Sequence, residues 1–167
     1  IGHPDMYSLI IMNNILGGSM SSRLFQEVRE QRGLAYSIYS YHSGYEDTGL
    51  VTIYGGTGAQ QMDVLFETIQ NTIEAFKRDG ITAKELNNSK EQLKGSLMLS
   101  LESTNSRMSR NGKNELMLGR HRTLDEMVEL IDQVSEESVR DMTEKVFTDR
   151  FAMAYISPVD QWQSGSK

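Results

Sequence analysis

The chain has 167 residues, enough for one compact domain that buries roughly two-thirds of the surface its unfolded form exposes. With 38% hydrophobic and 24% charged residues it is neither a disordered nor a collagen-like polymer, and without cysteine it can build no disulfide or thiolate metal site. A net charge of −6 argues against wholesale binding to nucleic acid, and no apolar run approaches membrane-spanning length.

The first residues, Ile1 to Asp5, read as the entrance to a helix, so the chain is expected to begin inside a domain. Pro4 suits a first helical turn, where its missing N–H costs nothing, and Asp5 suits the positive end of the dipole. Leu9, Met12, Ile15 and Leu16 continue as an apolar stripe, and Gly17-Gly18 ends it. Ser19 to Ser22 offer hydroxyl caps for a second helix from about Arg23 to Arg32, with Leu24, Phe25 and Val28 on its apolar side. Gly33 stands where a left-handed cap is expected.

Residues 35–41 turn to Tyr, Ile and Ser, which predicts a strand; 43–47 predict a turn and 50–54 an antiparallel return strand. Glycines at 55, 56 and 58 break the sheet. Met62, Leu65, Phe66, Ile69, Ile73 and Phe76 then mark one face of a long amphipathic helix closed by Gly80. Thr82 to Glu85 form a capping box before a helix that turns Leu86, Leu93, Leu97 and Leu101 inward. A polar patch, 102–106, leads into a helical stretch ending at Leu118 and Gly119.

Thr123 to Glu126 form a second capping box, and Ser135 caps a helix carrying Val139, Met142 and Val146. Residues 151–156 predict a final short strand, stopped by Ser157-Pro158. The domain is expected to span 1–160, with 161–167 a polar tail. Grouped strands followed by grouped helices predict an α+β fold, an antiparallel sheet packed against a layer of helices. Three strands support one another poorly, so a first strand is expected to lie before Ile1.

The stretch from Leu16 to Tyr41, LGGSMSSRLFQEVREQRGLAYSIYSY, carries the chemistry. It resembles the C-terminal half of the pitrilysin/insulinase-type zinc metallopeptidases, relatives of mitochondrial processing peptidase and of small bacterial processing proteases. The likeness lies in a short glycine loop running into Ser-Arg-Leu, a helix ending in Arg, and a Tyr seven positions beyond that Arg. Here these are Arg29 and Tyr36. It continues through ESTNSRMSRNGKNELMLGR, residues 102–120, to Ile156-Ser157-Pro158.

The resemblance implies that Tyr36 donates to the oxyanion of a tetrahedral intermediate and that Arg29 clamps a substrate carbonyl. It implies zinc held by the N-terminal half and not by this chain, whose partners would then be that half, from the same protein or another subunit, and a peptide substrate. A second copy of the chain, in a homodimer, is a further candidate partner; the alternative function is a non-catalytic, processing-peptidase-like subunit used for assembly or substrate capture. The closest-looking relatives and the lack of an export signal point to a bacterial cytoplasm.

The spacing has its own physical sense. Four helical residues rise about 6 Å and three extended ones cover about 10 Å, so both side chains can project from one helix–strand corner. Read without the resemblance, Arg29 is a dipole-favoured terminal Arg and Tyr36 a packed strand aromatic. The histidines, His3, His42 and His121, lack the His-x-x-Glu-His spacing of an inverted zinc motif, and His42 and His121 are expected on the surface. Gly17-Gly18-Ser19 lacks the Gly-Lys-Ser/Thr of a nucleotide loop and reads as a turn. Ser21, Ser22 and Arg23 read as cap and helix-start residues. The cluster Tyr36, Tyr39, Tyr41 and Tyr45 could line a peptide groove, but strict alternation puts Tyr39 and Tyr41 on the face opposite Tyr36, which leaves one of those faces to core or surface packing.

Overall fold

Local signals become helices wherever an apolar stripe meets a good cap. The computed structural model describes His3 and residues 5–45 and 47–158; the expectations for Pro4, Glu46 and the 161–167 tail lie outside these residues. Helix α1, Met6–Asn13, buries Ile11 and Met12 and runs straight into a π-helical turn, Asn14–Gly18. Asp5 stands at its N-cap but caps nothing with its side chain; its carboxylate instead accepts from Lys145 at 2.8 Å. The second helix starts at Arg23 as expected, then winds as a π-helix over Phe25–Gln31, with the Ser22 hydroxyl accepting from the Phe25 N–H at 3.4 Å.

Two strands, β1 (Ser37–Gly44) and β2 (Gly49–Gly56), pair antiparallel from Ser37 opposite Gly56 to Gly44 opposite Gly49. Both are longer than the sequence suggests because pairing carries each to its flanking glycine. The remaining helices are α2 (Met62–Asp79), α3 (Ala83–Ser100), α4 (Thr104–Leu118), α5 (Leu124–Asp132) and α6 (Glu136–Val146). Both predicted capping boxes are closed: Thr82 and Glu85 satisfy each other's backbone N–H groups, as do Thr123 and Glu126. Ser135 caps α6 as expected.

The core joins α1, the π-helical segments, β1, α2 and α6 through Ile11, Met12, Leu16, Leu24, Val28, Phe76 and Val139. Gly17 lets the first of those segments press against β1. A Cβ there would lie 2.5 Å from Ser40 Oγ and 2.8 Å from its backbone nitrogen. Beside it, Asn13 Nδ2 donates to the Ser40 carbonyl (3.4 Å) and Ser40 Oγ donates to the Asn13 carbonyl (3.3 Å). The glycine pair is thus a helix–strand contact as well as a turn.

Three expectations change. The buried stripe of α2 is Leu65, Thr68, Thr72 and Phe76, while Ile69 and Ile73 are only half-buried. The two threonines are admissible because each hydroxyl donates to the carbonyl four residues back, at 2.7 Å. Residues 151–156 form no strand among the described residues. Phe151, Met153 and Tyr155 stay exposed, with the Phe151 ring set 6.2 Å from that of Phe66, because a strand requires a neighbour to bond to. The described sheet accordingly has two strands rather than three. No described helix is long and apolar enough to cross a membrane.

Candidate functional site

Arg29 sits in the last turn of the π-helical segment Phe25–Gln31, and the chain reverses directly after it. Gly33 takes φ +59°, a conformation costly for any residue with a Cβ. Its N–H bonds the Arg29 carbonyl at 3.1 Å, and the next N–H, from Leu34, reaches the Val28 carbonyl at 2.9 Å. The second bond spans one residue more than an ordinary helix-ending turn, consistent with the π winding. Leu34 and Ala35 then plunge into the core, and the Thr57 hydroxyl fixes the Leu34 carbonyl at 2.5 Å. Tyr36 emerges from this anchored corner 81% exposed.

The two predicted site residues meet. The Arg29 guanidinium carbon lies 4.7 Å from the centre of the Tyr36 ring and 4.9 Å from that of the Phe25 ring. All three line an open cleft of ≈ 460 Å³, with Gly17, Gly18 and Met20. Gln92 of α3 closes one side. Tyr39 also lines this cleft, against the alternation argument. Tyr36 lies in a bend before β1 begins, so the period of two starts only at Ser37. Tyr39 stacks on Tyr54 at 5.0 Å across the hairpin, which gives the cleft a rigid aromatic shoulder.

Arg23, read from sequence as a helix-start residue, does far more. Its Nε and Nη2 donate to the two carboxylate oxygens of Glu85 at 2.8 and 2.9 Å, and Nη2 also bonds the Gly80 carbonyl at 2.7 Å. The guanidinium lies 4.9 Å above the Phe76 ring. Arg23 beside it, helped by the Thr82 N–H, holds the Glu85 carboxyl down at about 2. A second hollow, ≈ 520 Å³, opens next to this pair, where the charges already satisfy each other.

The histidines do not converge. His3 lies 3.7 Å from Asp5, His121 lies 3.4 Å from Glu115, and both are exposed. His42 is half-buried rather than on the surface; burial and then the nearby Lys113 charge push its pKa down. A cation in that position opposes a metal. Among the described residues no group of three or more His, Cys, Asp or Glu could hold a metal ion.

Residues 1–93 match the Peptidase M16 inactive domain. The chain belongs to the peptidase M16 family. The M16 relatives include zinc protease YmxG of Bacillus subtilis, 65% identical over 158 residues, which are 95% of this chain and 39% of YmxG. A zinc protease of Mycobacterium bovis is 38% identical over 157 residues, 94% of this chain and 36% of its own length. Among solved structures, the peptidase M16 inactive domain from Pseudomonas fluorescens superposes with a TM-score of 0.77 at 26% identity, covering 87% of this chain and 35% of that one. The chain therefore spans well under half the length of these relatives, and the fold is that of an M16 inactive domain.

Proposed function

We propose that the chain is the zinc-free half of a zinc endopeptidase, a domain of about residues 1–160 that supplies Arg29 and Tyr36 to a metal site built by another half of the same polypeptide or by a partner subunit. The observation that carries this reading is the meeting of Arg29 and Tyr36, 4.7 Å apart on one open cleft, at a corner pinned by Gly33, Leu34 and Ala35.

The chemistry asked of these residues is within their means. As the scissile carbonyl becomes tetrahedral, its oxygen gathers negative charge, and a phenol O–H held in place stabilises that charge more than it stabilises the ground state. Tyr36, with its ring held beside Arg29 and its hydroxyl end exposed, presents such a donor. A guanidinium can bond a neighbouring substrate carbonyl through two parallel N–H groups, which fixes the peptide relative to the phenol. Peptides in extended form suit an open cleft beside a strand.

The test is Tyr36→Phe in the full-length protein with a peptide substrate. The loss of one oxyanion donor predicts a fall in kcat of about 100–1,000-fold with KM little changed. An unchanged kcat would remove the role and leave the chain as an assembly or substrate-capture domain.

A further inference from the structure

We infer that Phe25 is a positioning residue for Arg29: its ring and that of Tyr36 both lie against the guanidinium and hold it without taking its N–H donors, which are left for a peptide carbonyl or carboxylate. The inference rests on the reading of Arg29 as a substrate clamp and extends it to a residue that the Arg–Tyr spacing does not include.

The geometry is unusual for a partly exposed arginine. Its side chain is 37% exposed, yet its nearest carboxylate, Glu30, approaches only to 4.0 Å and is itself 53% exposed. That separation is at the limit for an ion pair and contributes little. No hydrogen bond from the Arg29 guanidinium to another described residue accompanies it. What fixes the group is the pair of rings, 4.9 Å away at Phe25 and 4.7 Å away at Tyr36. Arg23, one turn and a half earlier, shows the contrasting solution. There the guanidinium also lies over a ring, but Glu85 and the Gly80 carbonyl take its Nε–H and Nη2 donors, three of the five N–H groups.

The distinction is physical. A carboxylate orients a guanidinium by consuming the in-plane donors that recognise substrate. Ring faces attract the cation through their quadrupoles, so holding it there costs no donors. Phe25 is suited to the task because it is itself held: it lies four residues before Arg29 on the same π-helical segment and packs partly buried against the core. With Tyr36 alone, the long side chain would have one ring contact fewer to keep it from swinging.

The experiment uses the full-length protein with a peptide substrate and compares Phe25→Leu, Phe25→Tyr, Arg29→Lys and Tyr36→Phe. Phe25→Leu is expected to lower kcat/KM about tenfold, mainly through KM, because it loosens the clamp and leaves the phenol in place. Phe25→Tyr, which keeps a ring face, is expected to restore the activity to within about twofold. If Arg29→Lys is impaired while Phe25→Leu matches wild type, the positioning role falls and the clamp survives. If neither Arg29→Lys nor Tyr36→Phe has an effect, the underlying reading falls. Should Phe25→Leu fail to fold, nuclear Overhauser contacts between the Phe25 ring protons and the Arg29 Nε–H of the wild-type protein decide: their presence supports the contact, and their absence overturns it.

Discussion

At the scale of single residues, two glycines separate space from backbone entropy. Gly17 has no room: an added Cβ would meet Ser40 Oγ at 2.5 Å and Ser40 N at 2.8 Å, and the latter belongs to a strand that cannot easily retreat. Gly95, in the middle of α3, has nothing within 4 Å of the same hypothetical atom. Gly17→Ala should therefore destabilise by about 1–3 kcal/mol, through overpacking of the helix against β1. Gly95→Ala should stabilise by about 0.5–1 kcal/mol, through the smaller entropy of the unfolded chain and better helix propensity. Urea denaturation of the two variants measures both, and equal signs would contradict the packing argument. The same scale explains why the closeness of Arg29 and Tyr36 could be expected from their spacing: it depends on a short, local path with one glycine reversal. Phe25 falls at an ordinary apolar helix position, and nothing in its spacing marks its contact with Arg29.

At the scale of elements, the tie between Arg23 and Glu85 couples the start of the second helix to the N-terminus of α3. The two side chains are 23% and 29% exposed, so solvent weakens but does not abolish their attraction. Glu85 is held at about 2 in the folded protein against an ordinary 4.5, first by Arg23. A depressed carboxylate favours folding above the unfolded value and loses that contribution as pH falls through the window from about 4.5 to 2. Glu85→Gln should thus cost roughly 1–2 kcal/mol at pH 7, and the difference from wild type should shrink when the comparison is repeated at pH 3. A difference that stays constant with pH would rule out the ionised pair as its source.

Elements also differ in how well they are held. Helix α4 has no buried residue, contains Gly112 and several Asn and Ser, and leaves Met108 and Leu116 exposed. A helix of this length gains too little from backbone bonds alone. Amide exchange should therefore be fastest in α4 and much slower in α2, which buries Leu65 and Phe76; protection of α4 equal to α2 would contradict this order. The start of α4 at Thr104 fell inside a stretch that reads as a polar patch, whereas the ends of both helices were readable, since the stops at Gly80 and Gly119 are local. Burial was not, because the stripe that faces the core in α2 includes Thr68 and Thr72, whose self-satisfied hydroxyls disguise them as surface residues. The π winding was equally hidden, as one extra residue per turn leaves no period in a seven-residue segment. The expected strand at 151–156 failed for another reason: β propensity describes a residue's fitness for a sheet, and the partner that makes a strand lies beyond any local window.

At the scale of the whole molecule, the chain covers 39% of YmxG, and the proposed chemistry divides between it and what the longer relatives add. On that proposal the two contributions are separable by measurement. The described histidines stand apart, at Asp5, at Glu115 and beside Lys113, so this chain expressed alone should hold less than stoichiometric zinc after equilibration and dialysis. It should also hydrolyse no peptide. In the full-length protein, Tyr36→Phe should leave the zinc content measured by elemental analysis equal to wild type while turnover falls, because the phenol acts on developing charge and not on metal affinity. The control is a chelator, which should remove both zinc and turnover from the wild-type protein. Stoichiometric zinc on the isolated chain would break the division of labour. Zinc lost together with activity in Tyr36→Phe would instead make the tyrosine a support of the metal site, and its place at the rim of the Arg29 cleft would need a different explanation.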